Sequence, residues 1–447
     1  MVRRSVSAFI PPSPDVMMDL FRAFKRLGIK GLSFQDYLKA IGFRNPAEGH
    51  VGMDDGHSVR IGPVGQPELI AIPSQPIVGE LNIVVLLVDF EDRPGSLTRE
   101  HYQDLLFSER TYPTGSMRDY FREVTLGKVN VNGTVHGWLR MPQKYSDYTN
   151  KESGTEWNSY PRNAPRLAED AVRTALQSGV PFNSNLDKLG NGQITALFII
   201  HAGFGAEVIR DQNQRKREIW SHKWTMRHPV TISPSLTANL YLTVPHDCKV
   251  GVCAHELGHL AFQWQDFYDP NYDEDGSEWD GSGVWDLMAG GSYNGNSNTP
   301  AHPAGLHKLQ HGWVSERKIT SSATVSIKPY TPTTGEVVRV LGPNYRPGQY
   351  LLLENRVRAG FDYALPGEGL LVWRVDESKE QFAPAAPGML LLQADGRHDL
   401  EKPGDWNQGD AGDPFPGSSG TAQLLDQGSL STTFASSLNR VGCPLLV

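Results

Sequence analysis

One short segment limits the folds open to this chain more than any other. Residues 250–262 are apolar apart from two histidines and one glutamate, namely His255, His259 and Glu256. A helix that is apolar on all sides is a buried helix, and buried imidazole and carboxylate groups destabilise a protein unless they have partners. The fold must therefore surround this helix and give the three polar side chains a common site.

These three side chains form the pattern His-Glu-x-x-His. Residues four apart share one face of a helix, so His255 and His259 can bind the same Zn²⁺ ion. Glu256 can face the open coordination position, take a proton from a metal-activated water and pass it to the leaving amine. A metal-free pair of core histidines is the simpler alternative, but it leaves Glu256 buried without a role.

Catalytic zinc takes three protein ligands and keeps a fourth position open. Acidic residues follow the helix, and we predict Asp266 as the third ligand, with Asp269 second and the loop imidazole of His302 third. Repulsion among the many carboxylates of residues 266–280 also favours a structural Ca²⁺ site, although a solvated charged loop is the alternative. The candidate calcium ligands are Asp269, Asp273 and Asp275.

A second motif follows at residues 285–291, with the sequence Trp-Asp-Leu-Met-Ala-Gly-Gly. A methionine in such a Gly-bounded turn is similar to the Met-turn beneath the zinc site of metzincins, and we assign this structural role to Met288. Tyr293 can donate a hydrogen bond to the oxyanion of a tetrahedral intermediate. A packing role is the more common one for a tyrosine.

Hydrophobic patterns elsewhere predict a mixture of helices and strands. Continuous apolar runs at 81–90 and 193–203 indicate buried strands, and residues 127–141 predict a strand pair that turns at Asn132-Gly133. After about residue 315, short β-runs separated by turn residues indicate a β-rich module. Helices are predicted at 16–27, after Ser33, and at 96–107, 116–125 and 163–179.

We therefore divide the chain into three parts. Residues 1–78 form an N-terminal helical segment and extended arm, which is a propeptide-like region, a stabilising arm or an accessory piece. Residues 79–315 form the catalytic domain, and residues 316–447 form a β-rich C-terminal module. The first part contains no cysteine, which excludes a cysteine switch.

Composition excludes several classes of protein. The chain of 447 residues has 42 Lys and Arg against 50 Asp and Glu, a net charge of −8, whereas nucleic-acid-binding domains are basic. Its apolar runs are shorter than the roughly 20 residues of a transmembrane helix, and its first residues lack the apolar stretch of a signal peptide. Three cysteines cannot form a disulfide framework, so we interpret Cys248 and Cys253 as small buried side chains.

Beyond the zinc helix, the sequence resembles the immune inhibitor A-like metallopeptidases. The similar blocks occur in family order and include VVLLVDFEDRPG, FIIHAGFGAE, HELGHLAFQWQDFYD, WDLMAGGSYNG and GLLVWRVDE. The resemblance implies a secreted zinc endopeptidase with a metzincin-like fold that acts on proteins or peptides. The family pattern is HExxHxxGxxD, but here Phe262 stands at the glycine position and Gln265 at the aspartate position, so we infer one inserted residue before Asp266.

We thus predict an α+β fold: a metzincin-like zinc peptidase domain, with a mixed twisted sheet and an active-site helix, followed by the β-rich module. The predicted activity is zinc-dependent hydrolysis of peptide bonds with Glu256 as general base and then general acid. The alternative is a catalytically weak, zinc-containing binding protein on the same scaffold. Retention of Glu256 argues against that alternative, because a relic site has no need of a base.

Overall fold

The computed structural model describes most of the chain. The described residues are 10–43, 52–54, 58–61, 67–70, 75–268, 280–342, 345–379, 387–402, 407–424 and 445–446. The chain divides into two compact units, residues 1–119 with 129–265, and residues 120–128 with 266–447. Helices and strands are mixed in the described part of each unit, in agreement with the coarse α+β prediction, and the predicted domain limits at 78 and 315 stay a prediction.

A five-stranded mixed sheet forms the centre of the first unit. Its order is β4-β3-β5-β7-β6, in which the first four strands are parallel and β6 runs antiparallel to β7 at one edge. The apolar run at 81–90 lies in the sheet interior because a parallel strand is covered on both faces. The strands are β3 Gly79–Asp89, β4 Val129–Arg140, β5 Leu197–His201, β6 His222–Ser233 and β7 Leu236–Pro245, and a separate hairpin comprises β1 Ser58–Ile61 and β2 Pro67–Ile70.

Each helix predicted from hydrophobic periodicity is present. Side-chain caps set several starts. The Ser33 hydroxyl accepts a hydrogen bond from the amide of Asp36 in a capping box, and the helix predicted to begin at Ser96 begins at Arg99 with Thr98 as its cap. The helices up to residue 260 are α1 Pro14–Leu27, α2 Phe34–Ala40, α3 Arg99–Phe107, α4 Met117–Val124, α5 Tyr145–Thr149, α6 Ala164–Gln177, α7 Gln212–Arg215 and α8 Val250–Leu260. Among the described helices, none is long and apolar enough to cross a bilayer.

The hairpin predicted at Asn132-Gly133 is wrong. Residues 129–140 form one continuous strand paired in parallel with β3. Gly133 serves close packing instead of a turn, because a Cβ atom there would lie 2.5 Å from both the Ile83 carbonyl oxygen and the Phe107 ring. An Asn-Gly pair therefore indicates a hairpin only where no neighbouring strand and helix occupy the space beside it.

The second unit contains a five-stranded sheet of order β12-β11-β10-β9-β8, antiparallel except for the β8–β9 pair. Of the predicted β-runs, residues 324–330 form no strand and contribute a single bridge from Pro329 to Asn355. The elements are α9 Gly305–Gln310, β8 Ser315–Ile319, β9 Glu336–Val340, β10 Gln349–Arg356, β11 Gly369–Asp376, β12 Met389–Leu391, and the short pair β13 Gln423–Leu424 and β14 Leu445–Leu446.

The turn after α8 is built without a glycine. Gln263 takes the left-handed conformation with φ 59°, and the amide of Trp264 donates to the Gly258 carbonyl oxygen at 3.1 Å. The extra residue therefore lies between His259 and Gln263, and the left-handed residue again precedes Asp266 by three positions, as glycine precedes aspartate in HExxHxxGxxD.

A left-handed backbone strains an L-residue by roughly 1–2 kcal/mol. We expect Gln263→Gly to leave the free energy of unfolding unchanged or to raise it by up to about 1 kcal/mol, since glycine adopts this conformation without strain but loses more chain entropy. The measurement is denaturant-induced unfolding of both proteins.

The control is Gln265→Gly, a chemically identical change two residues later, where φ is not in the left-handed region. It should lower the free energy of unfolding by about 0.5–1 kcal/mol. Equal destabilisation by the two substitutions would contradict this account of the turn.

Candidate metal centre

Helix α8 carries the polar site in an otherwise apolar setting. Each residue from Val250 to Leu260 is buried, and the helix packs against β6 and β7 of the first unit. Cys248 and Cys253 are buried free thiols, as predicted. Because water is excluded around the helix, the imidazole and carboxylate groups of His255, Glu256 and His259 must interact with one another or with a bound ion.

The two histidines converge on one point. Their Nε2 atoms lie 3.1 Å apart, and the rings are nearly perpendicular, at 84°. Two nitrogen ligands at 2.0–2.1 Å in a tetrahedral zinc site would be separated by about 3.3 Å. The observed separation is therefore close to the one that a shared zinc ion requires.

A hydrogen bond to the backbone fixes the orientation of the His259 ring. Its Nδ1 atom lies 2.7 Å from the carbonyl oxygen of Trp264, so Nδ1–H donates and Nε2 is left as the metal-binding nitrogen. Trp264 is itself held by stacking on Phe262, with ring centroids 5.0 Å apart. Phe262, at the family's glycine position, thus supports the Trp264 carbonyl that orients the His259 ring.

Asp266 completes a set of three donors along the continuous segment 255–266. Single ligand atoms of His255, His259 and Asp266 all lie within 4.8 Å of one another, and all three residues are buried. Two imidazoles and one carboxylate are a donor set that suits zinc and leaves a fourth position for catalysis. Gln265, which has the unmodified family spacing, is half-buried and is a neutral, weak ligand.

The structure does not bring His302, the other predicted zinc ligand that it describes, to this site. His302 has both ring nitrogens occupied, Nε2 at 2.9 Å from the Glu123 carboxylate and Nδ1 at 2.8 Å from the Lys308 ammonium. Burial and the Lys308 charge help to lower the pKa of His302. Its ring is therefore engaged in a buried polar network of the second unit. Asp269, Asp273 and Asp275 lie outside the described residues.

A third acidic residue, Asp54, reaches the site and has no counterpart in the sequence predictions. Ligand atoms of Asp54, Glu256 and His259 also lie within 4.8 Å of one another. The amide of Asp54 donates to the Lys223 carbonyl oxygen at 3.2 Å, and the Lys223 amide donates to Asp54 Oδ1 at 2.6 Å. Lys223 also donates through Nζ to the Gly52 carbonyl oxygen at 2.9 Å.

Residues 52–54 therefore pair with the edge of the sheet at β6. Residues 44–78 show no hydrophobic periodicity, and an aspartate in such a stretch gives no sequence signal. Only the three-dimensional fold brings Asp54 beside helix α8.

The turn around Met288 has its own polar support in the second unit. Met288 is wholly buried, and its carbonyl oxygen accepts from the Phe267 amide at 2.9 Å. Asp286 Oδ1 accepts from the amides of Met288 and Ala304 at 3.3 and 2.9 Å. Burial alone would raise the pKa of Asp286, but its interactions with His307 and these amides outweigh burial and lower it. A buried carboxylate thus holds the turn.

Two further polar residues have distinct surroundings. His222 is buried and bonds through Nδ1 to the Trp220 carbonyl oxygen and through Nε2 to the Tyr241 hydroxyl, which is a structural role. Tyr293 ends the short 3-10 turn Gly290–Tyr293 and is half-buried. Its role as an oxyanion donor stays a prediction.

Comparison with known proteins places these features in a family. Residues 82–319, a little over half of the chain, match the family described as "Immune inhibitor A peptidase M6, catalytic domain". Over 255 residues, 48% of this chain, the sequence is 30% identical to Immune inhibitor A of Bacillus thuringiensis subsp. alesti. It is 29% identical, over the same length, to the pre-pro-metalloprotease PrtV of Vibrio cholerae serotype O1 (strain M66-2).

The aligned regions cover only 36% and 27% of these two relatives, so the chain spans about a third of their length. The family match nevertheless includes most of β3, all of β4 to β7, helix α8 and the Met288 turn. It confirms the resemblance inferred from the sequence blocks. The chain belongs to the immune inhibitor A family of peptidases, M6.

Proposed function

We propose that this protein is a zinc-dependent endopeptidase. The observation that carries the proposal is the convergence of the His255 and His259 Nε2 atoms at 3.1 Å, with Asp266 completing a buried donor set of zinc type. His255, His259 and Asp266 would hold the ion. When bound, zinc supplies Lewis-acid chemistry that polarises a carbonyl group and acidifies water.

Glu256 is the residue that moves protons in this proposal. It is fully buried and adjacent in sequence to His255. A carboxylate oxygen of Glu256 lies within 4.8 Å of ligand atoms of both His259 and Asp54. A carboxylate so placed takes a proton from the attacking water and returns it to the leaving amine. His259 contributes by orientation, because its bond to the Trp264 carbonyl prevents the ring from turning away.

Other parts of the proposal come from family membership. A metzincin-like arrangement makes Met288 part of the floor of the site, and Tyr293 the donor to the developing oxyanion. Protein or peptide substrates and secretion are inferred in the same way. A structural Ca²⁺ ion bound by Asp269, Asp273 and Asp275 also remains part of the proposal.

We also propose that residues 1–78 act as an inhibitory, propeptide-like arm. The arm is anchored along the first unit: the Trp220 indole donates to the Ile10 carbonyl at 3.0 Å, and Arg215 stacks on Phe43 at 3.7 Å. Residues 52–54 then pair with Lys223, where an extended substrate peptide could add to the same sheet edge. The Asp54 carboxylate, beside Glu256 and His259, would then occupy the place of the substrate's scissile bond.

The first prediction concerns the general base. Glu256→Gln keeps the size of the side chain and removes the proton acceptor, so casein hydrolysis should fall by about 10²–10⁴-fold. Zinc content and melting temperature should match those of the wild type. Glu91→Gln, an identical change at an exposed position, is the control and should keep full activity.

Near wild-type hydrolysis by zinc-loaded Glu256→Gln would refute the assigned mechanism. If the wild type binds zinc but hydrolyses neither casein nor peptides after removal of the arm, the zinc-containing binding protein is the correct function instead.

The second prediction concerns the third ligand. Asp266→Ala should weaken zinc binding by more than about 100-fold, since even partners of metal ligands contribute 10–100-fold, and should abolish activity. Gln265→Ala and Asp269→Ala should keep tight binding. Competitive zinc titration of the three variants decides the matter, and tight binding by Asp266→Ala would identify another ligand.

The third prediction concerns the arm. Asp54→Ala should raise the initial rate of casein cleavage by at least about tenfold, because loss of a contact worth about 1.4 kcal/mol opens the site tenfold more often. Rates are taken before the arm is cleaved, as monitored by gel electrophoresis. The control is Asp15→Ala, an exposed acid of the same arm. An unchanged rate for zinc-loaded Asp54→Ala would argue for a purely structural arm.

A further inference from the structure

The residue that follows the proposed third zinc ligand is held through both of its backbone polar groups. The amide of Phe267 donates to the Met288 carbonyl oxygen at 2.9 Å, and the Phe267 carbonyl oxygen accepts from the Ser282 amide at 2.8 Å. The chain approaches this carbonyl closely, because a Cβ atom on Gly281 would lie 1.4 Å from the oxygen. Since Asp266 and Phe267 share a peptide bond, these hydrogen bonds also restrict where the backbone of Asp266 can lie.

The side chain of Phe267 is held as well. Its ring lies against the imidazole of His307, with ring centroids 4.6 Å apart and an angle of 42° between the ring planes. Both residues are buried, and close-packed interiors allow such rings little displacement. The amide, the carbonyl and the ring of Phe267 are thus each held by a different partner.

One carboxylate joins these three partners. Asp286 Oδ1 accepts from the Met288 amide at 3.3 Å, and Asp286 Oδ2 accepts from the Ser282 hydroxyl at 3.1 Å. The Nε2 atom of His307 lies 3.7 Å from Asp286 Oδ2. Each residue that holds Phe267 therefore interacts with Asp286. All of these residues belong to the second unit.

The surroundings of Asp286 keep it ionised. Burial alone would raise its pKa, but His307 and the amides of Ala304 and Met288 together lower it. The Ala304 amide donates to Asp286 Oδ1 at 2.9 Å. Displacing this carboxylate would leave a buried charge and several buried donors without partners, which is costly in free energy. Asp286 is therefore a fixed point around which the partners of Phe267 are ordered.

A buried arginine holds the backbone that leads into Asp286. The carbonyl oxygen of Trp285 accepts from Arg356 Nη1 at 2.8 Å. Arg356 in turn donates to both oxygens of Asp362, from Nε at 2.8 Å and from Nη2 at 2.6 Å. Bidentate pairs of this kind have a narrow geometry. The position of Asp286 is thus determined through its backbone as well as through its side chain.

We propose that Asp286 is a positioning residue for the third zinc ligand. The inference rests on the proposed function, in which Asp266 completes the donor set for zinc. Asp286 does not touch the ion; it orders the three partners of Phe267, and through Phe267 it fixes the backbone from which Asp266 reaches the site. Residues that orient metal ligands contribute to metal affinity because they hold the ligand ready for the ion. The Met288 turn and the third ligand thus depend on the same carboxylate.

The test measures metal binding by the full chain, with Glu256→Gln to prevent self-cleavage. Asp286→Asn keeps the size of the side chain and one oxygen for the amides, but removes the charge that interacts with His307. Competitive titration with a chelator should show zinc binding weakened by about 10–100-fold, the range for partners of metal ligands. With Co²⁺ in place of Zn²⁺, the visible absorption bands of the bound ion should also change, since they report the ligand geometry.

The matched control is Asp376→Asn, the same chemical change at another buried aspartate of the second unit. Asp376 ends β11 and accepts hydrogen bonds from the side chains of Gln349 and Ser378. Its replacement should also destabilise the unit, but zinc affinity and the cobalt spectrum should stay at the parent values. Equal zinc affinity in the Asp286 and Asp376 variants would overturn the proposal and make Asp286 a purely structural residue.

A double substitution tests the route through Asp266. In the Asp266→Ala background, Asp286→Asn should weaken zinc binding no further, because the ligand that it positions is already gone. A loss as large as that in the parent would overturn the proposed route. If Asp286→Asn does not fold, Ser282→Ala replaces it, since it removes only the hydroxyl donor to Asp286. It should weaken zinc binding several-fold, and unchanged affinity would likewise overturn the proposal.

Kinetics separates this inference from the proposed function. In the chain with Glu256 intact and zinc at saturation, Asp286→Asn should lower kcat for a peptide substrate and leave KM near the wild-type value, because a displaced ligand impairs the chemical step. Zinc affinity does not depend on hydrolysis. An inactive wild type with the expected differences in zinc affinity would therefore refute the peptidase and support the positioning role. An active wild type whose zinc affinity and kcat are insensitive to Asp286→Asn would refute the positioning role alone.

Discussion

The hydrogen bond between His259 and the Trp264 carbonyl oxygen is the interaction on which the site depends. It requires the chain to leave α8 and return within five residues, which the left-handed Gln263 makes possible. The same turn brings Asp266 to the two imidazoles. The extra residue relative to the family pattern therefore leaves the three side chains within 4.8 Å of one another, because the position of the left-handed residue moved with it.

Much of this arrangement was predictable from residue chemistry. A helix that is apolar except for His, Glu and His at fixed spacing permits few uses other than metal binding. The buried strands β3 and β5 also follow from continuous apolar runs. The left-handed residue was not predictable, because φ at Gln263 is fixed by the return of the chain to Gly258 and not by its own preference. Gly133 failed as a turn signal for a similar reason, since the close approach of Ile83 and Phe107 leaves no room for a Cβ atom there.

Interactions between distant parts of the chain were beyond the reach of sequence reasoning. Asp54 lies close to His259 although about two hundred residues separate them in the sequence, and no local pattern in the arm predicts this proximity.

The central claim is that zinc held by α8 makes this protein a peptidase. The most direct measurement is casein hydrolysis by the arm-free protein alongside its zinc content, before chelation, after chelation and after re-addition of one equivalent of Zn²⁺. The account predicts one zinc ion per chain, loss of hydrolysis in step with loss of that ion, and recovery on re-addition. Hydrolysis that persists in the zinc-free protein would contradict it.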